Sequence, residues 1–154
     1  MIDLQRAFHL GVAVADLEVA MRQTGAALGL SWAPVRTFDP LPFWTPEDGC
    51  HPVVVSATYS QQGPLHMELV QGTGRFYAPG GQPQARHLGV WVDDLAAEAT
   101  RLSGAGWTVR AAGDAPAAGY GAICYIASPD GSLLVELVST VLAPVIGAWI
   151  RGEG

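Results

Sequence analysis

One short sequence motif occurs twice in the chain, and this repeat constrains the fold more than any other feature. Residues 9–17 read His-Leu-Gly-Val-Ala-Val-Ala-Asp-Leu, and residues 87–95 read His-Leu-Gly-Val-Trp-Val-Asp-Asp-Leu. Seven of the nine positions are identical, and the second copy begins 78 residues after the first. Related segments follow both copies, with Met-Glu-Leu-Val at 67–70 and Val-Glu-Leu-Val at 135–138. Because a repeated segment predicts a repeated structural unit, we expect two similar modules.

The hydrophobic pattern around each copy predicts a strand that is followed by a helix. Apolar residues alternate over 8–14, which is typical of a strand. Asp16 is a favourable N-cap for the next helix, and Gly29 is a favourable residue to end it. The second copy repeats this plan, with a strand at 87–92 and a helix after Asp94.

The rest of each copy predicts further strands. They are expected at 53–60, 65–71, 107–111, 120–127 and 132–138. The segment 33–52 holds five prolines and is interpreted as an ordered loop or extended excursion rather than a helix. Each copy is therefore expected to have the order βαβββ, although no clear pattern marks the strand after the first helix.

The composition restricts the classes of partner. Of the 154 residues, 49% are hydrophobic and only 14% are charged, which favours an internal cavity, a buried subunit interface, or both. The net charge of −6 and the lack of a basic cluster argue against nucleic acid as a partner. No apolar run reaches the roughly 20 residues that span a bilayer, so no membrane partner is expected. The two distant cysteines suggest reduced thiols and a cytoplasmic protein.

Four residues at matched places in the two copies are candidate metal ligands. They are His9, Glu68, His87 and Glu136. Each glutamate lies among apolar residues, so on an interior face it would be desolvated and would need a partner. Two imidazoles and two carboxylates suit octahedral Ni, Co, Mn, Fe or Zn. The competing interpretation is structural: a single histidine is more often an ordinary core residue, and a single glutamate often lies on the wet face of a sheet.

These motifs, with the Ser-Pro-Asp-Gly turn at 128–131, resemble the vicinal oxygen chelate superfamily of glyoxalases, bleomycin-resistance proteins and dioxygenases. The resemblance covers about 8–139, and the layout is most similar to the glyoxalase-like, methylmalonyl-CoA-epimerase-type branch. It implies an α+β fold in which two tandem βαβββ modules form a curved, incompletely closed mixed sheet around a cavity. The chain is then one glyoxalase-like domain over 1–154. Its parts would be module 6–72, linker 73–85, module 86–140 and C-terminal tail 141–154.

The resemblance also implies a function. By position, the family's metal ligands correspond to His9, Glu68, His87 and Glu136. The implied activity is that of a metal-dependent isomerase, epimerase or lyase, acting on a small carbonyl or carboxylate substrate through a metal-stabilised enediolate. Glu136 or Glu68 would be the base. The alternatives are a non-catalytic small-molecule binding or resistance protein and, third, a metal-dependent dioxygenase.

Further expectations concern the surroundings of this site. Trp91, His66 and Tyr125 are candidate substrate-binding residues. His66 shares the strand face of Glu68, where it could support a ligand or line the cavity wall. The family's epimerases carry an additional catalytic glutamate on a middle strand of the first module, whereas residues 53–59 contain no acid. The tail is expected to form a short helix that packs on the body or on a partner, and the resemblance favours a homodimer.

Overall fold

The computed structural model describes residues 1–78 and 86–153 and has an α+β architecture of eight strands and four helices. The strands are β1 (Ala7–Ala13), β2 (Arg36–Thr45), β3 (Gly49–Tyr59), β4 (His66–Gly72), β5 (Arg86–Val92), β6 (Thr108–Ala112), β7 (Ile123–Ala127) and β8 (Leu134–Ser139). The helices are α1 (Leu17–Leu28), α2 (Gly74–Tyr77), α3 (Leu95–Gly104) and α4 (Ala143–Ile150). Residues 79–85, most of the predicted linker, lie outside the described residues.

Local sequence signals explain the two longest helices. The Asp16 carboxylate accepts a hydrogen bond from the amide of Val19 at the start of α1, and Asp94 makes the equivalent bond with Ala97 at the start of α3. Each bond satisfies an amide that has no partner inside its helix. α1 ends at Gly29, whose φ of 67° suits glycine.

The eight strands form one closed barrel in the order β1-β4-β3-β2-β6-β7-β8-β5. β1 pairs with β4 in parallel, β5 pairs with β8 in parallel, and β1 and β5 join the two halves in antiparallel fashion. The expectation of an incompletely closed sheet is wrong. β2 extends far enough for Trp44 to pair with Ala112 on β6, and this single pair closes the ring.

The proline-rich segment 33–52 is extended rather than helical, as expected. Much of it is the strand β2 and the start of β3 rather than a loop. β2 pairs along its length only with β3. Its other edge needs few backbone N–H groups for hydrogen bonding, because it makes a single pair with β6. Pro40 lies at the register shift between Phe38 and Leu41, and such edges and irregularities are where strands tolerate proline.

The barrel interior holds the main core cluster, and the C-terminal helix is part of it. Trp149 and Ile150 of α4 are buried among residues of β1 and β3, including Phe8 and Tyr59. A second cluster fills the space between α3 and the strands β5 to β8. The expected tail helix thus packs on the body of its own chain. None of the described helices has the length and apolar character needed to cross a membrane.

Candidate metal centre

The four candidate ligands converge inside the barrel. His9 lies on β1, Glu68 on β4, His87 on β5 and Glu136 on β8, which are four consecutive strands of the ring. One possible ligand atom from each residue lies within 4.8 Å of the others. The exposed fractions are 0% for His9, 7% for Glu68, 4% for His87 and 5% for Glu136, so the group is buried.

The glycine of each repeated motif makes room for the histidine of the other copy. Gly11 pairs across the β1–β5 ladder with His87, and Gly89 pairs with His9. A Cβ atom on either glycine would overlap the facing imidazole ring more closely than real Cβ atoms approach any group. The packing is therefore reciprocal: each copy of the His-x-Gly motif supplies one imidazole, and its glycine leaves the space that the imidazole of the other copy occupies.

The distances between the ligand atoms fit a shared cation. His9 Nε2 lies 2.9 Å from Glu136 Oε2 and 3.5 Å from Glu68 Oε2. His87 Nε2 lies 3.2 Å from Glu68 Oε2 and 3.3 Å from Glu136 Oε2. Ligand atoms held at about 2.1 Å from one ion lie roughly 3 Å apart when they are adjacent. With neutral imidazoles the four side chains carry a charge of about −2, which a divalent ion would balance.

Unpaired atoms point to the same conclusion. His9 Nδ1, His9 Nε2 and Glu136 Oε2 are buried and have no hydrogen-bond partner among the described residues. His9 Nε2 and Glu136 Oε2 are close but lack hydrogen-bonding geometry. A buried polar atom without a partner is costly, and a metal ion would satisfy several at once. The residues thus form a buried His/Glu group able to bind a metal.

Charges within the group shift its ionisation. Burial acts to lower the pKa of His87, but the close carboxylates of Glu136 and Glu68 outweigh it and raise the pKa to about 9. Burial acts to raise the pKa of Glu136, but the close imidazoles of His87 and His9 outweigh it and hold the pKa below its ordinary value. Glu136 is therefore ionised at neutral pH.

Two buried tyrosines face the glutamates across the sheet. Tyr59 pairs with Glu68 on the β3–β4 ladder, and Tyr125 pairs with Glu136 on the β7–β8 ladder. The Tyr59 ring lies 5.6 Å from that of His9, and the Tyr125 ring lies 5.0 Å from that of His87. Burial, with the nearby carboxylates, raises the pKa of both phenols well above the ordinary value, so both keep their protons.

The other predicted site residues are placed differently. Trp91 is half-buried and stacks on Phe8 at 3.9 Å, and Phe8 in turn lies 4.4 Å from the His9 ring. His66 does not join the four ligands; its Nδ1 lies 2.8 Å from the Ser60 carbonyl oxygen in the β3–β4 turn. Tyr125 is the member of this set that contacts the ligand group directly.

Sequence reasoning misses the importance of two aromatic residues near the site, Phe8 and Trp149. Phe8 turns inward beside His9 because the β1–β5 register shifts between residues 7 and 9. Trp149 reaches the site from α4, where its ring lies 4.9 Å from Tyr59, and no sequence signal in the tail indicates that contact.

Comparisons with solved structures identify the same fold at low sequence identity. Methylmalonyl-CoA epimerase from Mycobacterium tuberculosis is 23% identical with a TM-score of 0.53, and the match covers 86% of each chain. A variant of the Streptomyces coelicolor epimerase, in complex with 2-nitronate-propionyl-CoA, is 18% identical with a TM-score of 0.55; the match covers 87% of this chain and 96% of that one. A hypothetical protein from Bacillus halodurans C-125 is 15% identical with a TM-score of 0.51, over 86% and 92% of the chains.

Sequence comparisons give a family rather than a named relative. No curated protein matches the chain significantly. The model of the glyoxalase/bleomycin resistance protein/dioxygenase superfamily matches residues 8–125, which is more than three quarters of the chain. With its duplicated histidine motif and closed eight-stranded sheet, this chain belongs to the glyoxalase/bleomycin resistance protein/dioxygenase superfamily.

Proposed function

We propose that this protein is a metal-dependent isomerase, epimerase or lyase that removes a proton next to a carbonyl or carboxylate group of a small substrate. The observation that carries the proposal is the convergence of four buried ligand side chains, three of whose polar atoms have no hydrogen-bond partner among the described residues. Family membership supports the same class of chemistry.

His9, Glu68, His87 and Glu136 would hold the metal, for which Ni, Co, Mn, Fe and Zn are the candidates. When bound, a divalent ion would supply positive charge that polarises a substrate carbonyl. The two histidines anchor the site, because each ring is confined by the glycine it faces. The two imidazoles would therefore fix the position of the metal, and with it the position of a substrate beside Glu68 and Glu136.

A glutamate of this group is proposed to move the proton. Glu136 is ionised at neutral pH, and its Oε2, which would hold the metal in the resting site, would be available to accept a proton where the substrate takes its place. Glu68 is the alternative base, although its Oε2 contacts His87 in hydrogen-bonding geometry. Tyr59 and Tyr125 keep their protons and so add no charge beside the ligand group, and the Tyr125 hydroxyl pairs with that of Tyr77.

The substrate is proposed to differ from that of the methylmalonyl-CoA epimerases. In that family an additional glutamate on a middle strand completes a two-base route, and β3 of this chain contains no acidic residue. The rings around the site, such as Tyr59 and Tyr125, suit a small substrate with an apolar part.

A non-catalytic binding protein of the same superfamily is the second candidate. It is favoured by the burial of all four ligands, since no more than 7% of any of them is exposed. A metal-dependent dioxygenase is the third candidate. Dioxygenases of this superfamily use two histidines and one glutamate, so the fourth ligand, Glu68, fits that chemistry less well.

Solvent exchange tests the proposal across several substrate classes at once. The protein would be loaded separately with each of the five metals and incubated in deuterated buffer with 2-oxo acids, 2-hydroxy acids and acyl-CoA thioesters. NMR would follow the loss of the proton next to the carbonyl or carboxylate group. We expect metal-dependent exchange for at least one small acid, its loss in Glu136→Gln, and normal exchange in Glu47→Gln, which changes an exposed acid in the β2–β3 turn.

Three outcomes would count against the proposal. No exchange with any metal would exclude the enzyme for the compounds tested. Ligand binding that persists in the presence of a chelator would favour the binding protein. Oxygen consumption coupled to product formation would instead favour the dioxygenase.

The modular and oligomeric organisation is also a proposal. We interpret 6–72 and 86–140 as duplicated modules, because the order βαβββ occurs in both. The family resemblance supports a homodimer, which sedimentation analysis would test.

The proposed location is the cytoplasm. Cys50 is exposed, Cys124 is buried and both are free thiols, which is compatible with that location.

A further inference from the structure

We infer that Trp149 is the gate and the specificity-determining residue of this site. α4 would lift Trp149 away from Tyr59 to admit a substrate, and the space vacated would limit the site to a substrate no larger than the indole. This inference rests on the proposed function, because it concerns access to the same four ligands.

Contacts place Trp149 next to the ligand group. Its ring lies 4.9 Å from Tyr59, and the Tyr59 ring lies 5.6 Å from His9. Trp149 is thus one aromatic ring away from a candidate metal ligand, although only 5% of it is exposed. A substrate that approached His9 from this end of the barrel would meet Trp149 first.

α4 is attached in a way that suits movement. Among the described residues, its one hydrogen bond to the body of the protein runs from Trp149 Nε1 to the Pro34 carbonyl oxygen, at 2.6 Å. The Arg36 guanidinium adds a cation–π contact, 5.0 Å from the centre of the Trp149 ring. Apart from the single β2–β6 pair, the barrel strands are held by ladders of several backbone pairs each. An eight-residue helix has little stability of its own, so α4 depends on these two contacts and on the packing of its buried Trp149 and Ile150.

The other end of the barrel is closed by a second set of contacts. A surface pocket there is lined by residues that include Phe43, Phe76, Arg75 and Arg110. Phe76 separates it from Tyr125, with the two rings 4.6 Å apart. The neighbouring Tyr77 is buried, however, and its hydroxyl lies 3.2 Å from that of Tyr125. Opening at this end would break this pair and the aromatic packing, whereas lifting α4 would break the Trp149–Pro34 hydrogen bond and the packing on Tyr59.

Chemical labelling of the metal-free protein tests the gate without any assumption about catalysis. Diethyl pyrocarbonate acylates accessible imidazoles, and mass spectrometry of peptides gives the initial rate at each histidine. Partly exposed His51 serves as the reference within each molecule. We expect Trp149→Ala to raise the relative rate at His9 at least tenfold, and Arg36→Gln to raise it by a smaller factor. The larger reagent para-bromophenacyl bromide should label His9 in Trp149→Ala but not in the wild type.

Matched variants separate gating from general loosening. Val145→Ala changes a residue of α4 that is 56% exposed, and Arg22→Gln removes an exposed arginine from α1; both should leave the rates unchanged. Leu102→Ala should destabilise the second core cluster, and Phe76→Ala should remove aromatic packing at the opposite end. The inference is overturned if Trp149→Ala leaves His9 protected, or if Leu102→Ala or Phe76→Ala exposes His9 as much as Trp149→Ala does.

Hydrogen exchange of the wild-type protein covers the case in which Trp149→Ala fails to fold. The gate predicts that amides of α4 exchange through a local opening, well before those of β1 and β5. Exchange of α4 only together with those strands would contradict the gate. Both measurements use metal-free protein, so a failed gate is distinguishable from a failed enzyme proposal.

Discussion

Replacing Gly11 with alanine should disable the site through a single methyl group. The added Cβ would overlap the His87 ring, and even Cδ2, the most distant of its three closest ring atoms, would lie only 2.8 Å away. Ordinary van der Waals contact begins at 3.4 Å and the nearest ring atoms would lie 2.1 Å away, so the imidazole must retreat by more than 1 Å. Metal–ligand distances deviate from their ideal values by only about 0.2 Å, so the His87–metal bond would be lost or distorted.

The size of the effect follows from two opposing contributions. At an open strand position, glycine to alanine would raise the free energy of unfolding by about 0.5–1 kcal/mol. Overpacking a buried contact costs about 1–3 kcal/mol. We therefore expect a net loss of about 1 kcal/mol in unfolding free energy, with a drop of roughly 10–100-fold in metal affinity.

Urea unfolding and competition with a chromophoric chelator measure these two quantities. Gly89→Ala should behave alike, since its Cβ would overlap His9. Gly104→Ala is the control, because a Cβ there meets nothing within 4 Å. If Gly11→Ala binds metal as tightly as the wild type and is no less stable, the claim that Gly11 makes room for the His87 ring is wrong.

Two further predictions concern protons and phenols. Metal uptake at pH 7 should release about one proton, because His87, with a pKa of about 9, carries one in the metal-free protein. The affinity should then rise with pH up to about 9; calorimetry in buffers of different ionisation enthalpy measures the release, and heats that do not depend on the buffer would contradict it. Tyr77→Phe and Tyr125→Phe should each lower the unfolding free energy by about 1–3 kcal/mol, since each leaves the other hydroxyl unpaired. The double variant should lose about 1 kcal/mol less than the sum in urea unfolding, and strictly additive losses would refute the pairing.

The repeated motif is informative because its physical constraints are local. Alternation along β1 and β5 puts His9 and Gly11 on one face and His87 and Gly89 on the matching face, and antiparallel pairing of the strands brings them together. The α+β class and the superfamily were therefore predictable. That the four converging side chains bind a metal stays a prediction.

Other features depend on contacts between distant parts of the chain. The proline content of 33–52 suggests a loop, because nothing in the segment reveals that β2 has one weakly paired edge. Closure of the barrel depends on Trp44 meeting Ala112, a pairing over 68 residues that no local pattern encodes. The register shift that turns Phe8 inward and the burial of Trp149 against Tyr59 are likewise tertiary effects.

Elemental analysis of protein purified without a metal-chelating column tests the central claim most directly. We predict about one divalent metal ion per chain, or uptake of one from Ni, Co, Mn, Fe or Zn, and its loss in His87→Ala. His51→Ala, which removes a histidine outside the ligand group, should keep the metal. Wild-type protein that holds no metal and takes up none of the five would contradict the account.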